Sequence, residues 1–439
     1  MSAISNPNPR SALPVRYLLV LWLFVLSAVA YLDRTNISIA AVRIGREFNI
    51  NNTHLGLVIS AFLIGYASFQ IPAGLLAKCL GPRRILALGA VWWSVFTVLT
   101  TLVPPGVRSA VIILMLVRFG LGAGEATMYP ATSLFVERWF PVQERGKANG
   151  LIFGGVGIGS GLTPPLVTAI MLHYGWRASF WFSAAVGLLV GLVWYIAARD
   201  TPDAHPMVGD EERKLIDGGR FLTAAAAPTP AHPEKQKIPW SLIFSSRATL
   251  ALTLSYFSFG YIAWIFFGWF FIYMAQVRGL NLKASAVYSM LPFIAMTAGC
   301  LLGGVLSDWL ARIYSLRVGR CLLSSVCLAI TAVFMILGSR AHSPVVAGVV
   351  LACGAGALYI SQSSYWAVSA DIAGEYVSVV SGMMNMGGQI GGAITASLTP
   401  LIASYFGWEV SFVAAAVIAL AGALAWLAID PRRDVLIVR

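Results

Sequence analysis

Two acids and two arginines stand inside stretches of sequence that are otherwise apolar. Asp33 and Arg34 close an apolar run that begins at Tyr17, and Arg118 and Glu125 lie in a later one. An ionisable side chain at membrane depth is costly unless it meets a partner or a water-filled cavity, so it usually marks a transport path. These four side chains are therefore the candidates for carrying protons and for holding a charged solute.

The spacing of the second pair indicates how such a site could work. Arg118, Gly122 and Glu125 stand at i, i+4 and i+7, so they share one helix face. Gly122 has no side chain and lets another backbone or a ligand approach. Burial favours a neutral carboxyl group and a nearby arginine favours a carboxylate, so moving the arginine would load or release a proton. The structural alternative is a buried Arg118–Glu125 ion pair that only fixes the helices.

Arg34 is the candidate anchor for an anionic substrate. Its guanidinium stays charged and can hold a carboxylate through two parallel hydrogen bonds. Tyr31 lies three residues before it, and Tyr66 and Gln70 lie one turn apart on a later helix, where they could contact hydroxyl groups. For these neutral side chains, packing alone is an equal alternative.

The composition specifies the elements that must position these residues. The chain has 439 residues, of which 58% are hydrophobic and 11% are charged, as in a protein that crosses the membrane many times. We predict an all-α integral membrane protein with twelve spans, each about 20–30 residues long. The predicted spans are 17–42, 54–78, 85–103, 109–135, 146–170, 176–198, 248–276, 284–310, 318–338, 344–369, 374–404 and 408–428.

The two halves of the chain repeat each other. The tripeptide Leu-Thr-Pro at 162–164 recurs at 398–400, and the Gly-Trp pair at 175–176 recurs at 407–408. A duplicated unit predicts two pseudo-symmetric six-helix bundles around a central cavity, which rock about a shared site. The predicted division is an N-terminal bundle at 1–199, a solvated cytoplasmic linker at 200–247 and a C-terminal bundle at 248–439.

The repeat also tests whether the buried charges serve the architecture. The spans at 248–276 and 344–369, which correspond to the first and fourth, contain no charged residue, and Ala357 stands where the first half has Glu125. An architectural need would have placed charges in both copies. The asymmetry therefore indicates a functional role for the four ions. Clustered glycines at 154–161 and 387–392, in contrast, predict close helix contacts in both halves.

The charge distribution sets the orientation and excludes other functions. The net charge is +12, and most of the Lys and Arg residues lie in the segments predicted on the same side of the membrane as the N-terminus. This is the positive-inside pattern, which places both termini in the cytoplasm and makes a nucleic-acid partner superfluous. No metal-binding His cluster, nucleophile–base pair or cofactor motif is present in the sequence. We therefore expect neither an enzyme nor a bound cofactor, and we expect the chain to work as a monomer.

The sequence resembles the major facilitator superfamily, and within it the anion:cation symporter family. The resemblance rests on the motif Tyr-Leu-Asp-Arg-Thr-Asn at 31–36, the segment Arg-Phe-Gly-Leu-Gly-Ala-Gly-Glu-Ala at 118–126, and the turn that begins with Trp-Phe-Pro at 139–141. It implies transporters of sugar acids such as hexuronate, galactonate and glucarate, and of phthalate and sialic acid. It also implies proton coupling through Asp33 and Glu125, with protons as the coupling ion, in a bacterial-type inner membrane.

The resemblance adds further site residues. Ser363, Ser364, Tyr365 and Trp366 match the family's substrate-facing segment, and Asn385 matches its asparagine. The gate motif after the second span is matched at Gly74, Gly81, Arg83 and Arg84, and Asp308 is its acid in the second half. Lys78, however, stands where the motif expects an acid.

Together these features favour uptake of an organic anion by proton symport, and we predict that the anion is a sugar acid. Two other transport functions stay open: uptake of an aromatic carboxylate, given the many tryptophans and tyrosines, and proton-driven efflux of small compounds. An arginine beside Asp33 disfavours a cation site. A membrane sensor that does not transport is the alternative from another class.

Overall fold

The computed structural model describes residues 14–107, 109–216, 240–373 and 377–431, and nearly all of them are helical. Twelve long helices follow one another along the chain. They are α1 (Val15–Phe48), α2 (Asn52–Leu80), α3 (Pro82–Leu102), α4 (Ala110–Trp139), α5 (Val142–Tyr174), α6 (Trp176–Ala197), α7 (Arg247–Gly268), α8 (Leu282–Ile313), α9 (Arg317–Arg340), α10 (Pro344–Ala373), α11 (Val377–Phe406) and α12 (Trp408–Leu427).

Eleven of the twelve helices in the described residues are long and apolar enough to cross a membrane. The other is α11, whose 30 residues include glycines at 382, 387, 388, 391 and 392. It packs against α7, α12 and α2 rather than standing apart. The chain is therefore a multi-pass, all-α membrane protein, as the sequence predicted.

Corresponding helices make corresponding contacts in the two halves. In the first half α1 packs on α5, α2 on α4, and α3 on α6; in the second half α7 packs on α11, α8 on α10, and α9 on α12. The halves meet where α2 lies against α11, α5 against α8, and α1 against α7. This arrangement gives two six-helix bundles around a central region, to which α1 and α4 bring the four ions.

Glycines place several of these helices in backbone contact, as their clustering predicted. A Cβ atom on Gly155 or Gly159 of α5 would collide with the carbonyl oxygens of Phe24 and Ala28 on α1. In the second half, a Cβ on Gly391 of α11 would collide in the same way with a carbonyl of α7. Small residues at such positions let membrane helices approach closely.

A similar contact between α2 and α4 positions the residues around the arginines. A Cβ on Gly122 would collide with the Phe62 carbonyl oxygen and lie 2.8 Å from the Tyr66 nitrogen. A Cβ on Gly65 would collide with the Phe119 carbonyl oxygen. The Phe62 and Tyr66 side chains are thus held beside the segment of α4 that carries Arg118 and Glu125.

Both α4 and its counterpart α10 are interrupted in the middle of the bundle. The α4 helix breaks after Glu125 and resumes at Met128, with the Thr127 hydroxyl donating to the Gly124 carbonyl at 2.8 Å. The α10 helix ends at Ile360 and resumes at Gln362. In the first half the break falls immediately after the buried acid.

Residues 200–216, predicted as part of a solvated linker, pack against the first bundle instead. Residues 210–216 are helical, and Ile216 is fully buried. Glu212 accepts hydrogen bonds from the backbone nitrogens of Val15 and Arg16, both at 3.2 Å, and from the Arg16 guanidinium at 3.0 Å. The rest of the predicted linker, at 217–239, lies outside the described residues.

The two bundles are closed against each other at one end. The Ser60 hydroxyl donates to the Ala393 carbonyl at 2.6 Å and lies 2.7 Å from the Ser397 hydroxyl. Nearby, a Cβ on Gly56 would collide with the Ala396 carbonyl. These contacts join the first turns of α2 to the last turns of α11, which is the outer side in the predicted orientation.

The α2–α4 contact leads to a stability prediction. Replacing Gly122 with alanine should lower the melting temperature of the detergent-solubilised protein, because the added methyl must push two helix backbones apart. Gly74→Ala is the matched control, since its Cβ would meet only Pro130 at an ordinary 3.7 Å. Alanine is the better helix former by about 1 kcal/mol, so Gly74→Ala should be neutral or stabilising. Equal melting temperatures for the two variants would contradict the contact.

Candidate functional site

The centre of the site is an ion pair between α1 and α4. The Arg34 Nε donates to the Glu125 Oε2 at 2.6 Å, and both side chains are almost completely buried, with 1% and 0% of their surface exposed. A charge-assisted hydrogen bond of this length is strong. The proposed substrate anchor and the proposed proton carrier are therefore directly joined.

Asp33 and Arg118 are the other two buried ions beside the Arg34–Glu125 pair. Both are buried, and electrostatic interactions connect Arg118 with Glu125, with Asp33 and, repulsively, with Arg34. The Ser183 hydroxyl is the polar neighbour of Asp33. However, no protein hydrogen bond of ordinary geometry reaches either Asp33 carboxylate oxygen within the described residues. The two arginines and two acids thus form one cluster, which we call the ion quartet.

Several polar atoms of the ion quartet have no protein partner among the described residues. They are the Asp33 Oδ1 and Oδ2, the Arg34 Nη2, the Arg118 Nε and the Glu125 Oε1. An orphaned buried polar atom is costly. The arrangement therefore has donors for an incoming anion and acceptors for protons at the same place.

Aromatic rings enclose the Arg34 guanidinium. Its central carbon lies 4.7 Å from the centre of the Tyr31 ring, 4.5 Å from that of Tyr66 and 5.5 Å from that of Phe62. The central carbon of the Arg118 guanidinium, on α4, lies 5.0 Å from the centre of the same Phe62 ring. Ring faces stabilise a desolvated cation, so they help to keep both guanidinium groups charged in an apolar interior.

The second bundle contributes neutral polar groups at and near its junction with the first. The Gln362 Nε2 donates to the Tyr256 hydroxyl at 3.3 Å, while the Gln362 Oε1 has no protein partner among the described residues. The Asn385 Nδ2 donates to the Gln70 Oε1 at 3.2 Å and bridges α11 to α2. Gln70 and Asn385, both predicted as substrate contacts, thus lie at the junction of the bundles.

The structure separates the residues predicted on α10. The Tyr365 hydroxyl bonds to Ser255, and its ring packs against Trp426, all inside the second bundle. Ser364 is fully buried and lies 3.5 Å from the Ser307 hydroxyl of α8. In this conformation the side chains of Ser364 and Tyr365 are thus occupied by contacts inside the second bundle, and their contact with a substrate stays a prediction. Ser363 lies against the Cys300 carbonyl at 3.5 Å and is half-buried, and Trp366 is exposed.

Three further tyrosines, which the sequence reasoning missed, lie within electrostatic range of the site residues. Electrostatic interactions connect the Tyr129 hydroxyl with Arg34, Tyr31 and Tyr66, and the Tyr359 hydroxyl with Tyr31. Tyr256 interacts in the same way with Tyr31 and Tyr66. Tyr129 follows Glu125 by four residues, so extending the i, i+4, i+7 spacing by one turn would have found it. Periodicity alone gave no comparable signal for the other two.

The chain matches the family model for the Major Facilitator Superfamily over residues 23–396. The chain belongs to this superfamily. It is a membrane transporter and not an enzyme. In fold it is similar to a bacterial homologue of the human lysosomal transporter Spinster, with a TM-score of 0.76, 19% identity, and coverage of 95% of this chain and 98% of that one.

Relatives with named substrates align over nearly the whole transporter. A probable sulfoacetate transporter of Cupriavidus necator is 34% identical over 92% of this chain and 91% of its own length. The chloroplastic ascorbate transporter of Arabidopsis thaliana is 31% identical over 94% and 74%, respectively. A probable L-galactonate transporter of Escherichia coli is 27% identical over 94% and 90%.

The residues predicted to form the gate motif include a defined turn between α2 and α3. Gly81 has a φ of 84°, which favours glycine, and a Cβ there would collide with Asp200. The Arg83 backbone nitrogen donates to the Asp200 Oδ1 at 2.9 Å. Gly74 lies within α2 near Pro130, whereas Lys78, Arg84 and Asp308 are exposed.

The rings around Arg34 lead to a prediction about transport by this superfamily member. Tyr66→Leu removes one ring face from the guanidinium, whereas Tyr66→Phe keeps it and removes only the hydroxyl. We expect the leucine variant to lose more substrate affinity, by about 2–30-fold, since a cation–ring contact is worth roughly 0.5–2 kcal/mol. The apparent KM for uptake in liposomes measures this. An equal loss in both variants would assign the effect to the hydroxyl group.

Proposed function

We propose that this transporter imports an organic anion together with protons by alternating access, and that the anion is a sugar acid. The observation that carries the proposal is the buried Arg34–Glu125 pair at 2.6 Å with open hydrogen-bonding positions on both partners. A purely structural pair would be expected to satisfy all of its donors and acceptors. The proposal places the protein in the inner membrane with both termini in the cytoplasm, and a monomer suffices.

The coupling follows from charge balance in a buried site. With all four groups ionised, the two arginines and two acids of the ion quartet sum to zero. A bound monoanion would leave an uncompensated negative charge, which an apolar interior disfavours strongly. A proton on Glu125 removes that charge and frees the Arg34 Nε for the substrate. Substrate and proton therefore enter together, and each is held poorly without the other.

Asp33 is the second proposed proton carrier. Its carboxylate interacts electrostatically with Glu125 and Arg118, so protonation of one acid changes the balance at the other. Arg118 lies within electrostatic reach of both acids and can stabilise whichever remains charged. This arrangement allows protons to be released one after the other when the cavity opens to the opposite side.

The neutral groups around the ion quartet support a substrate with several hydroxyl groups. Tyr31, Tyr66 and Tyr129 from the first bundle, and Tyr256 and Gln362 from the second, offer donors and acceptors without charge. Such groups fit the body of a sugar acid whose carboxylate is held by Arg34. The names of the galactonate and ascorbate transporters among the relatives agree with this substrate class.

A small organic sulfonate is the second candidate substrate. It is favoured by the relative named as a probable sulfoacetate transporter, which is 34% identical over 92% of this chain. A sulfonate presents oxygens to Arg34 as a carboxylate does. Uptake of labelled galactonate in the presence of sulfoacetate, and of labelled sulfoacetate in the presence of galactonate, would separate the two candidates.

Replacing Glu125 with Gln should uncouple the transporter. The variant keeps the hydrogen-bonding shape but cannot take up a proton, so uphill accumulation driven by a proton gradient should be lost while substrate counterflow persists. Liposome uptake with and without an imposed pH gradient measures both activities. Glu137→Gln, at an exposed glutamate on the same helix, is the control and should accumulate normally. Gradient-driven accumulation by the Glu125 variant would remove it as the coupling acid.

Replacing Arg34 with Ala should abolish substrate binding. Loss of one partner from a buried charge pair costs about 2–5 kcal/mol, so affinity should fall by at least about 30-fold. Thermal-shift titration of the purified protein with sugar acids gives the affinity without requiring transport. Arg46→Ala, at an exposed arginine in the last turn of α1, is the control for the loss of a positive charge. If the Arg34 variant reached half-saturation at the same sugar-acid concentration as the wild type, another group would hold the anion.

A further inference from the structure

A groove on the outer wall of the first bundle lies between α3 and α6, away from the ion quartet. Its volume is about 480 Å³, and it is apolar along most of its length. Gly191 lets the two helices touch, because a Cβ there would collide with that of Ala90. The groove is lined by Arg84, Ala87, Leu88, Val91, Leu188, Gly191, Leu192 and Tyr195.

One end of the groove is basic. Arg84 stands in the first turn of α3, is exposed, and has no hydrogen bond or ion pair with the described residues. The neighbouring Arg83 donates from Nε to the Tyr195 carbonyl at 2.8 Å and lies 4.4 Å from the centre of the Tyr195 ring. This is the end at which α3 begins and α6 finishes, on the cytoplasmic side in the proposed orientation.

The acid near this end is already occupied. Asp200 accepts the backbone N–H of Arg83 at 2.9 Å. The Arg199 Nη1 donates to the carbonyls of Ile196 and Ala198 at 2.8 and 2.7 Å. Among the described residues that line the groove, Arg84 is the charged one, and its guanidinium is available to a ligand.

The second bundle carries a related groove at the equivalent place. It lies between α9 and α12, has a volume of about 200 Å³, and is lined by Arg317, Cys321 and Trp426, among others. The Arg317 Nη2 donates to the Leu427 carbonyl at 3.4 Å, as Arg83 does to Tyr195. The ions of transport occur in one copy of the repeat, whereas this basic-ended groove occurs in both. The groove therefore serves a function that both bundles share, and both bundles are in contact with the membrane.

We propose that the α3–α6 groove binds an anionic phospholipid of the cytoplasmic leaflet. An acyl chain lies along the apolar length, beside Leu88, Val91 and Leu188, and the phosphate is held by Arg84. Seven residues separate Arg84 from Val91, or about 10 Å along the helix, so the groove runs from headgroup level into the hydrocarbon region. Arginine at this level attracts anionic lipids and grips phosphate oxygens in a bidentate manner.

Native mass spectrometry of the full-length protein tests the proposal. The protein is delipidated and titrated with phosphatidylglycerol or phosphatidylethanolamine in separate experiments. We expect tighter binding of phosphatidylglycerol, and we expect Arg84→Gln to weaken it about fivefold, from the roughly 1 kcal/mol that one arginine contributes near a membrane surface. Arg84→Lys should restore most of the preference. Leu188→Trp, which fills the groove from an exposed position, should weaken the binding of both lipids.

The controls distinguish the groove from general charge effects. Arg312→Gln removes an exposed arginine at the end of α8 that is cytoplasmic in the proposed orientation, and it should leave the lipid preference unchanged. Inorganic phosphate at millimolar concentration should not displace the lipid, because the apolar length contributes to binding. Equal affinity for the two lipids in the native protein, an equal loss in the Arg84 and Arg312 variants, or displacement by phosphate would each overturn the proposal.

Discussion

Charge neutrality in an apolar interior is the constraint on which the site depends. Arg34 and Glu125 are 1% and 0% exposed, and neither could remain ionised there without the other or a substitute. Any event that takes Glu125 away from Arg34, such as protonation or the arrival of another anion, must be matched by a second event. The proposed coupling between a proton and a substrate therefore needs no signal between distant sites, since both would act on the same hydrogen bond.

The backbone contacts explain why this pair stays where it is. Gly65 and Gly122 bring α2 and α4 together, and Phe62 and Tyr66 then stand over the two guanidinium groups. The break after Glu125 ends one helical segment at the level of the ion pair. The second bundle has similar glycine contacts and a similar break, but it places Gln362 and Tyr359 there. One repeated scaffold thus carries charged residues in the first bundle and neutral polar residues in the second.

Much of this arrangement could be predicted from the sequence. The apolar spans, the repeat and the glycine contacts between α1 and α5 follow from composition and period, which depend on one helix at a time. The partner of Glu125 was harder to predict. Its spacing from Arg118 suggested a pair within α4, whereas the hydrogen bond goes to Arg34 on α1. Periodicity shows which residues share a face, but the rotation of one helix against another is decided by packing. The same limit explains Ser364 and Tyr365, which lie on the inner side of α10, and residues 200–216, whose few apolar side chains dock on the first bundle.

The contact between the bundles is suited to reversible opening. Ser60 bonds to Ala393 and Ser397, and Asn52 donates to Gln276 at 3.0 Å. Each neutral hydrogen bond is worth only about 0.5–1.5 kcal/mol net, and water can replace it when the helices part. No ion pair joins α2 to α11 in the described residues, so opening this end strands no charge. The strong interactions lie within a bundle, where they move as a unit, and the weak ones lie between bundles, where movement must occur. In the proposed alternating-access cycle, rocking of the two halves would expose the ion quartet to either side without separating its members, because all four lie in the first bundle.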